Sequence, residues 1–164
     1  MNKHWSKTRQ MLEEDFLCDS LKGRVKYFTT RYNSAHDHTG RVCILVDKVE
    51  KLNMPFENSF KAHREVDKRK DGTKSLKILY DEVWDELHQT GTFEPWDFGV
   101  AIDEYFENSI EKSLHSENIL VRLFAILDRR VGKRTLENLK NDINDIPEWL
   151  KFFYNLRFES EGII

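Results

Sequence analysis

A chain of 164 residues, 39% hydrophobic and 34% charged, is long enough for one domain whose core folds without disulfide or metal staples. Aromatic residues at 12% argue against disorder, and seven Gly with three Pro are too few for a turn-rich sandwich, so a helix-rich protein is expected. The net charge of −3 excludes a global attraction to nucleic acid or to an anionic membrane; any such binding has to come from a local patch.

The opening residues are polar and lack the apolar stretch of a signal peptide. The longest apolar segment, Ile119 to Leu127, is interrupted by Arg122 and is far too short to span a bilayer. A cytoplasmic protein with no membrane partner is the expectation. Trp5, Leu12 and Phe16, with Met11 beside them, recur at helical spacing and predict an amphipathic helix over 3–17. Residues 24–32 are rich in Val, Tyr, Phe and Thr, which suit a pleated surface. A turn-rich stretch over 33–40 leads to a central strand over 41–47 and a weaker third strand over 49–56, ended by Pro55. Alternation along the first strand puts Arg24, Lys26, Phe28 and Tyr32 on one face and Val25, Tyr27 and Arg31 on the other. Phe28 and Tyr32 are expected in the core.

From there the period is helical. Residues 59–70 form a polar helix before the turn Asp71-Gly72. Leu76, Leu79, Tyr80, Val83, Trp84 and Leu87 make an apolar stripe that Gly91 ends. Thr92 is a plausible cap for the next helix, whose stripe includes Phe98, Ile102, Tyr105, Phe106 and Ile110. Ser116 can cap an apolar helix over 117–128, Leu136, Leu139 and Ile143 mark a short one, and Pro147 opens the last, with Trp149, Leu150, Phe153 and Leu156 facing inward. The fold class that follows is α+β: a two- or three-stranded antiparallel sheet in the N-terminal part (about 1–56) packed with a helical remainder (about 57–164), as a single domain over 1–164.

The leading candidate site is Arg129-Arg130-Val131-Gly132-Lys133-Arg134, four cations in six residues at a break between two helices. Arginine grips a carboxylate or phosphate in a fork, and the free N–H groups of a new helix can add to that grip. The competing reading is an internal network with Glu159, Glu161 or Asp145. Arg24 and Arg31 on the first strand, with Tyr27, Phe28 and Tyr32 alongside them, extend the basic set toward a nucleic-acid surface, although strand propensity alone also explains them. His36, Asp37 and His38 are the metal or acid–base suspects, but two ligands on a turn are too few, and turn chemistry accounts for Asp37 before Gly40. Cys18 and Cys43, the only cysteines, sit in apolar flanks and read as reduced core residues. The acidic residues Asp81, Glu82, Asp85, Glu86, Asp97, Asp103, Glu104 and Glu107 form outer helix faces, and such a face can dock a basic protein. No nucleophile elbow, P-loop, dinucleotide fingerprint or zinc-protease motif is present.

Several segments together carry a resemblance: Trp5-Ser6-Lys7, Leu21-Lys22-Gly23-Arg24-Val25, His36-Asp37 with Gly40-Arg41, and Leu127-Asp128-Arg129-Arg130-Val131-Gly132-Lys133-Arg134. The combination resembles a family of small, uncharacterised cytosolic bacterial proteins over nearly the whole chain. The resemblance implies a bacterial intracellular protein, loosely tied to immunity or defence, and brings no activity or cofactor. The residues therefore favour a non-enzymatic module that binds a protein partner through a charged surface. The alternative is a nucleic-acid or phosphate-ligand protein using Arg129, Arg130, Lys133 and Arg134, helped by Arg24 and Arg31. A metal-dependent hydrolase at His36, Asp37 and His38 comes third. No cofactor is expected.

Overall fold

The computed structural model describes residues 4–31 and 39–164. It is an α+β fold, with one three-stranded antiparallel sheet toward the N-terminus and eight α-helices among the described residues. Helix α1 (Trp5–Gln10) runs on into a π-helical turn, Met11–Asp15, that delivers both Leu12 and Glu13 to the interior. Glu13 is buried for a reason. Its carboxylate accepts the Tyr27 backbone N–H at 2.9 Å and the Lys26 ammonium at 3.0 Å. Tyr27 lies on an edge strand, so a side chain serves a donor that the ladder leaves open and blunts the edge.

Strands β1 (Val25–Arg31), β2 (Thr39–Val46) and β3 (Val49–Pro55) form a meander in the order β1-β2-β3. The β2–β3 connection is the two-residue turn Asp47–Lys48, with φ of 51° and 69°. Both residues take the left-handed conformation that matches the twist of a tight hairpin. The pairs Tyr27↔Ile44 and Ile44↔Leu52 put Val25, Tyr27, Val42, Ile44, Val46, Leu52 and Met54 on one buried face. The strand phase differs from the expectation for Phe28, which is 45% exposed while Tyr27 is 3% exposed. Tyr27 packs between Phe98 and Phe124, and Phe28 lies on the outer face with the Arg41 guanidinium 5.9 Å from its ring centre. Tyr32 lies outside the described residues. Cys43, also on the outer face, is buried beside the Arg41–Glu50 pair, and burial pushes its thiol pKa up. Both cysteines are free and buried.

Helices α2 (Asn58–Arg69) and α3 (Leu76–Gln89) form a hairpin with a small core of its own, Ala62, Val66, Leu79 and Val83. Leu76, at the start of the predicted stripe, is 53% exposed because α3 begins there. The hairpin is fixed to the main body at its base. Asn58 donates to the Phe93 carbonyl at 2.7 Å, and the Trp149 indole donates to the His88 carbonyl at 2.9 Å. The remaining helices are α4 (Pro95–Glu107), α5 (Ile110–Leu114), α6 (Ile119–Leu127), α7 (Lys133–Asn141) and α8 (Glu148–Ser160). The α4 start uses a capping box of Glu94 and Asp97, not Thr92, and α6 is capped by Asn118, whose side chain accepts the Leu120 N–H at 3.1 Å. Helix α6 is buried at every position except Arg122 and is the element around which α4, α5 and α8 pack. No helix among the described residues is long and apolar enough to cross a membrane.

Gly91 follows α3 at φ +79°, and a Cβ there would come within 3.1 Å of Trp149. Gly91→Ala combines left-handed strain with that collision. A loss of about 1–2 kcal/mol is expected, read as a melting temperature lower by about 3–6 °C.

Candidate functional site

The basic corner begins at the end of α6, where the chain pairs with the segment after the π-turn. Leu17 and Asp128 form an isolated antiparallel bridge, with Cys18 N donating to Leu127 O at 3.0 Å and Arg129 N donating to Phe16 O at 2.8 Å. The pairing carries the Asp128 carboxylate inward until its exposure is 0%. A buried carboxylate has to be satisfied, and this one is. It accepts the Arg130 backbone N–H at 2.7 Å, the Arg130 Nε at 3.1 Å and Nη2 at 2.6 Å, and a short bond from the Tyr105 hydroxyl. The Arg130 guanidinium also lies 4.8 Å above the Phe16 ring. Its fork is occupied. Burial and the adjacent Asp128 hold the Tyr105 phenol well above its ordinary pKa, and the bond to Asp128 raises that of Arg130.

The other cations make no bond to Asp128. Arg129 is exposed and acts at a distance on Asp19, whose pKa is lowered chiefly by its own bond to Lys22. Lys133 and Arg134 lie exposed in the first turn of α7, with no ion pair among the described residues. Glu161, a predicted partner of the corner, is taken by Ser20 at 3.1 Å and by Arg157 at 3.3 Å. Arg157 is buried beneath the corner, donates to the Val131 carbonyl at 3.1 Å, and has its pKa lowered by desolvation. Arg24 forks onto Asp47 at 2.9 and 2.8 Å, at the hairpin end of the sheet. Arg31 stands at the far end of β1, roughly 23 Å along an extended strand from Arg24. The structure therefore does not gather these six arginines and lysines into one patch. His36, Asp37 and His38 lie outside the described residues, and among the described residues no group of three His, Cys, Asp or Glu side chains could hold a metal.

A different surface has the geometry of a site. Helix α4 buries Phe98, Ala101, Ile102 and Tyr105 and turns Trp96, Val100, Asp103 and Glu107 outward. Trp96 is 67% exposed and Val100 42% exposed. Two clefts meet along this pair. The larger, about 560 Å³, lies between α3, the start of α4 and the segment before α6, and includes Asp85, Glu86, His88, Asp97 and Glu117. In it the His88 ring stacks on Phe93 at 4.6 Å with Nε2 3.3 Å from Asp97. Glu86 is bound by Arg69 at 2.7 Å, and Asp97 caps α4 through the Glu94 N–H at 2.8 Å. Asp85 and Glu117 carry no ion pair among the described residues. The smaller cleft, about 240 Å³, lies between α1, the sheet and α4, and is lined by Trp5, Val42, Phe98 and Gly99 with Arg31 and Asp103. Sequence reasoning passed over Trp96. The available signal was its place two residues off the Phe98–Ile102–Tyr105 stripe, a large aromatic on the polar side of an amphipathic helix.

A family model, that of the SF0329 protein family, matches residues 4–158. The chain belongs to the SF0329 protein family. No curated protein and no solved structure matches it. The matched span holds both the Asp128 latch and the Trp96 face, and leaves out Glu161.

In this SF0329 chain Arg130→Ala leaves the buried Asp128 carboxylate with only the Tyr105 hydroxyl and one backbone N–H. A loss of about 3 kcal/mol is expected by denaturant titration, with Arg130→Lys restoring only part because an ammonium cannot fork. Lys133→Ala and Arg134→Ala should stay within about 0.5 kcal/mol of wild type.

The phenols of Tyr27, Tyr105 and Tyr154 are all raised by burial. Their folded pKa values lie above the ordinary 10.0, so the unfolded state sheds protons first as pH rises. Stability is therefore full below about pH 10 and falls above it, with a shallower fall in Tyr105→Phe. Phenolate absorbance of these three should appear only with unfolding.

Proposed function

We propose that the protein is an interaction module that docks a cationic protein partner on the outer face of α4. The observation that carries this reading is Trp96, exposed between two clefts and bordered by the carboxylates of Asp85, Glu117 and Asp103. Tryptophan in such a position supplies a large rigid contact area, and its ring face attracts lysine and arginine. The surrounding carboxylates add an attraction that acts before contact and discriminates against acidic partners. Arg130 and Arg24 spend their forks on Asp128 and Asp47. A phosphate at the basic corner would be left with Arg129, Lys133 and Arg134, which supports that alternative less well.

A peptide-display selection with the purified protein as bait tests the reading. Recovered sequences should pair lysine or arginine with bulky apolar residues, and their binding should weaken as salt is raised. Trp96→Ala should reduce affinity about thirtyfold, corresponding to the roughly 2 kcal/mol of a tryptophan hot spot. Glu117→Lys should weaken binding without changing the melting temperature by more than a degree or so. Recovered sequences without a cationic preference, or affinity unchanged in Trp96→Ala, would remove the proposal.

A further inference from the structure

Gly99 is a glycine that the fold does not require. It sits inside the 13-residue helix α4, away from both caps and without a positive φ. A Cβ built on it meets nothing within 4 Å. Gly91 shows the contrast, since there both φ and the Trp149 ring exclude a side chain. Glycine is a poorer helix former than alanine, so a helix-interior glycine that neither packing nor backbone geometry calls for leaves a destabilising choice unexplained by folding. What the absent side chain does leave is space in the smaller cleft, which Gly99 lines together with Trp5, Phe98 and Val100.

We infer that this cleft is an anchor pocket for one bulky apolar side chain of the cationic partner, seated against the bare backbone at Gly99. The inference rests on the reading of the Trp96 face as the docking surface and names what docks there. At about 240 Å³ the cleft is below the range of roughly 300–1,000 Å³ usual for free small-molecule ligands, and suits one large side chain. Trp5, Val42, Phe98 and Val100 give it an apolar lining, with the Trp5 and Phe98 rings edge to face at 6.1 Å, and Arg31 and Asp103 stand at it as an opposed pair of charges. The acidic cleft shares Trp96 and Val100 with it, so this i, i+4 pair forms the border between the two. An extended segment advances about 3.3 Å per residue, and side chains two apart point the same way. A partner that seats an apolar side chain in the small cleft and crosses this border carries its next same-facing side chain, two positions on, toward the acidic cleft, where Asp85 and Glu117 favour lysine or arginine.

The probe is the blocked tripeptide acetyl-Trp-Ser-Arg-amide, titrated into the full chain and followed by amide-resolved NMR. It should shift the Gly99 amide and the Trp96 indole together. Acetyl-Ala-Ser-Arg-amide should lose the Gly99 shift, and acetyl-Trp-Ser-Glu-amide should bind at least tenfold more weakly. Gly99→Ala should raise the melting temperature by about 2–4 °C while weakening the probe several-fold, and Gly99→Leu should abolish the Gly99-side contact. A lower melting temperature in Gly99→Ala would show that the fold itself needs the glycine and would overturn the inference. Equal binding by Gly99→Leu, or no shift at millimolar probe, would overturn it too. Cationic display peptides that bind through Trp96 with no dependence on Gly99 would sink the anchor pocket alone and leave the docking face standing.

Discussion

A carboxylate taken wholly out of water is stable only if its lone pairs are met, and the packing around α6 is arranged about meeting those of Asp128. The partners come from different parts of the chain: the Tyr105 hydroxyl from α4, and the guanidinium and backbone N–H of Arg130 from the turn before α7. The two backbone bonds flanking Asp128 draw in the segment after the π-turn, through Phe16 and Cys18. Asp128 and its two neighbours thus join the segment after the π-turn, α4, the end of α6 and the entry to α7. Four acceptor positions filled by four donors leave little freedom in how α4 lies against α6. The orientation of α4 then decides which of its residues face outward, and Trp96 and Val100 are among them.

The same interaction commits one cation of the dense basic run to a partner inside the chain. Arg130 keeps 42% of its side chain exposed, but its guanidinium is committed to Asp128, two residues earlier, which the strand-like bridge to Leu17 draws in. Arg129, the alternate residue of that bridge segment, is left in solvent. Lys133 and Arg134 follow Gly132 onto the exposed start of α7, where only Leu136 of the first turns is buried. Of the four cations, Arg130 alone is bound to a buried acid, and that acid lies two residues before it.

Periodicity made the meander, the helical stripes and the α+β class legible, since those depend on neighbours in sequence. Phase was harder. Alternation in β1 allows either Tyr27 or Phe28 inside, and the choice falls to Tyr27 because Phe98 and Phe124 meet it while Glu13 takes its N–H. Neither event leaves a trace within β1 itself. Asp128 stood in plain sight beside Arg130, yet its burial depends on Leu17, more than a hundred residues away. Gly99 and Trp96 were likewise readable only as oddities of one helix. Their meaning appears when α1, the sheet and α3 close around α4 and turn two off-pattern residues into the shared border of two clefts.

An exposed tryptophan flanked by an exposed valine is a hazard as well as an asset, because apolar patches of this kind also attract copies of the same chain. The carboxylates around it bear on that hazard. Two copies meeting face to face at α4 would bring Asp85, Asp103 and Glu117 of one against the same residues of the other, and like charges at a drying interface are costly. The opposing sign is available within the chain on α2, where Lys61, Arg64 and Lys68 are exposed. Much of that charge is tempered by neighbouring acids: Glu65 and Glu86 hold Arg69, Glu65 also reaches Lys68, and Asp67 holds Lys70. Asp85 and Glu117 have no such partner among the described residues, so the negative charge beside Trp96 is less compensated than the positive charge at the end of α2. The carboxylates bordering Trp96 therefore oppose the face-to-face self-association that an exposed tryptophan and valine would otherwise invite.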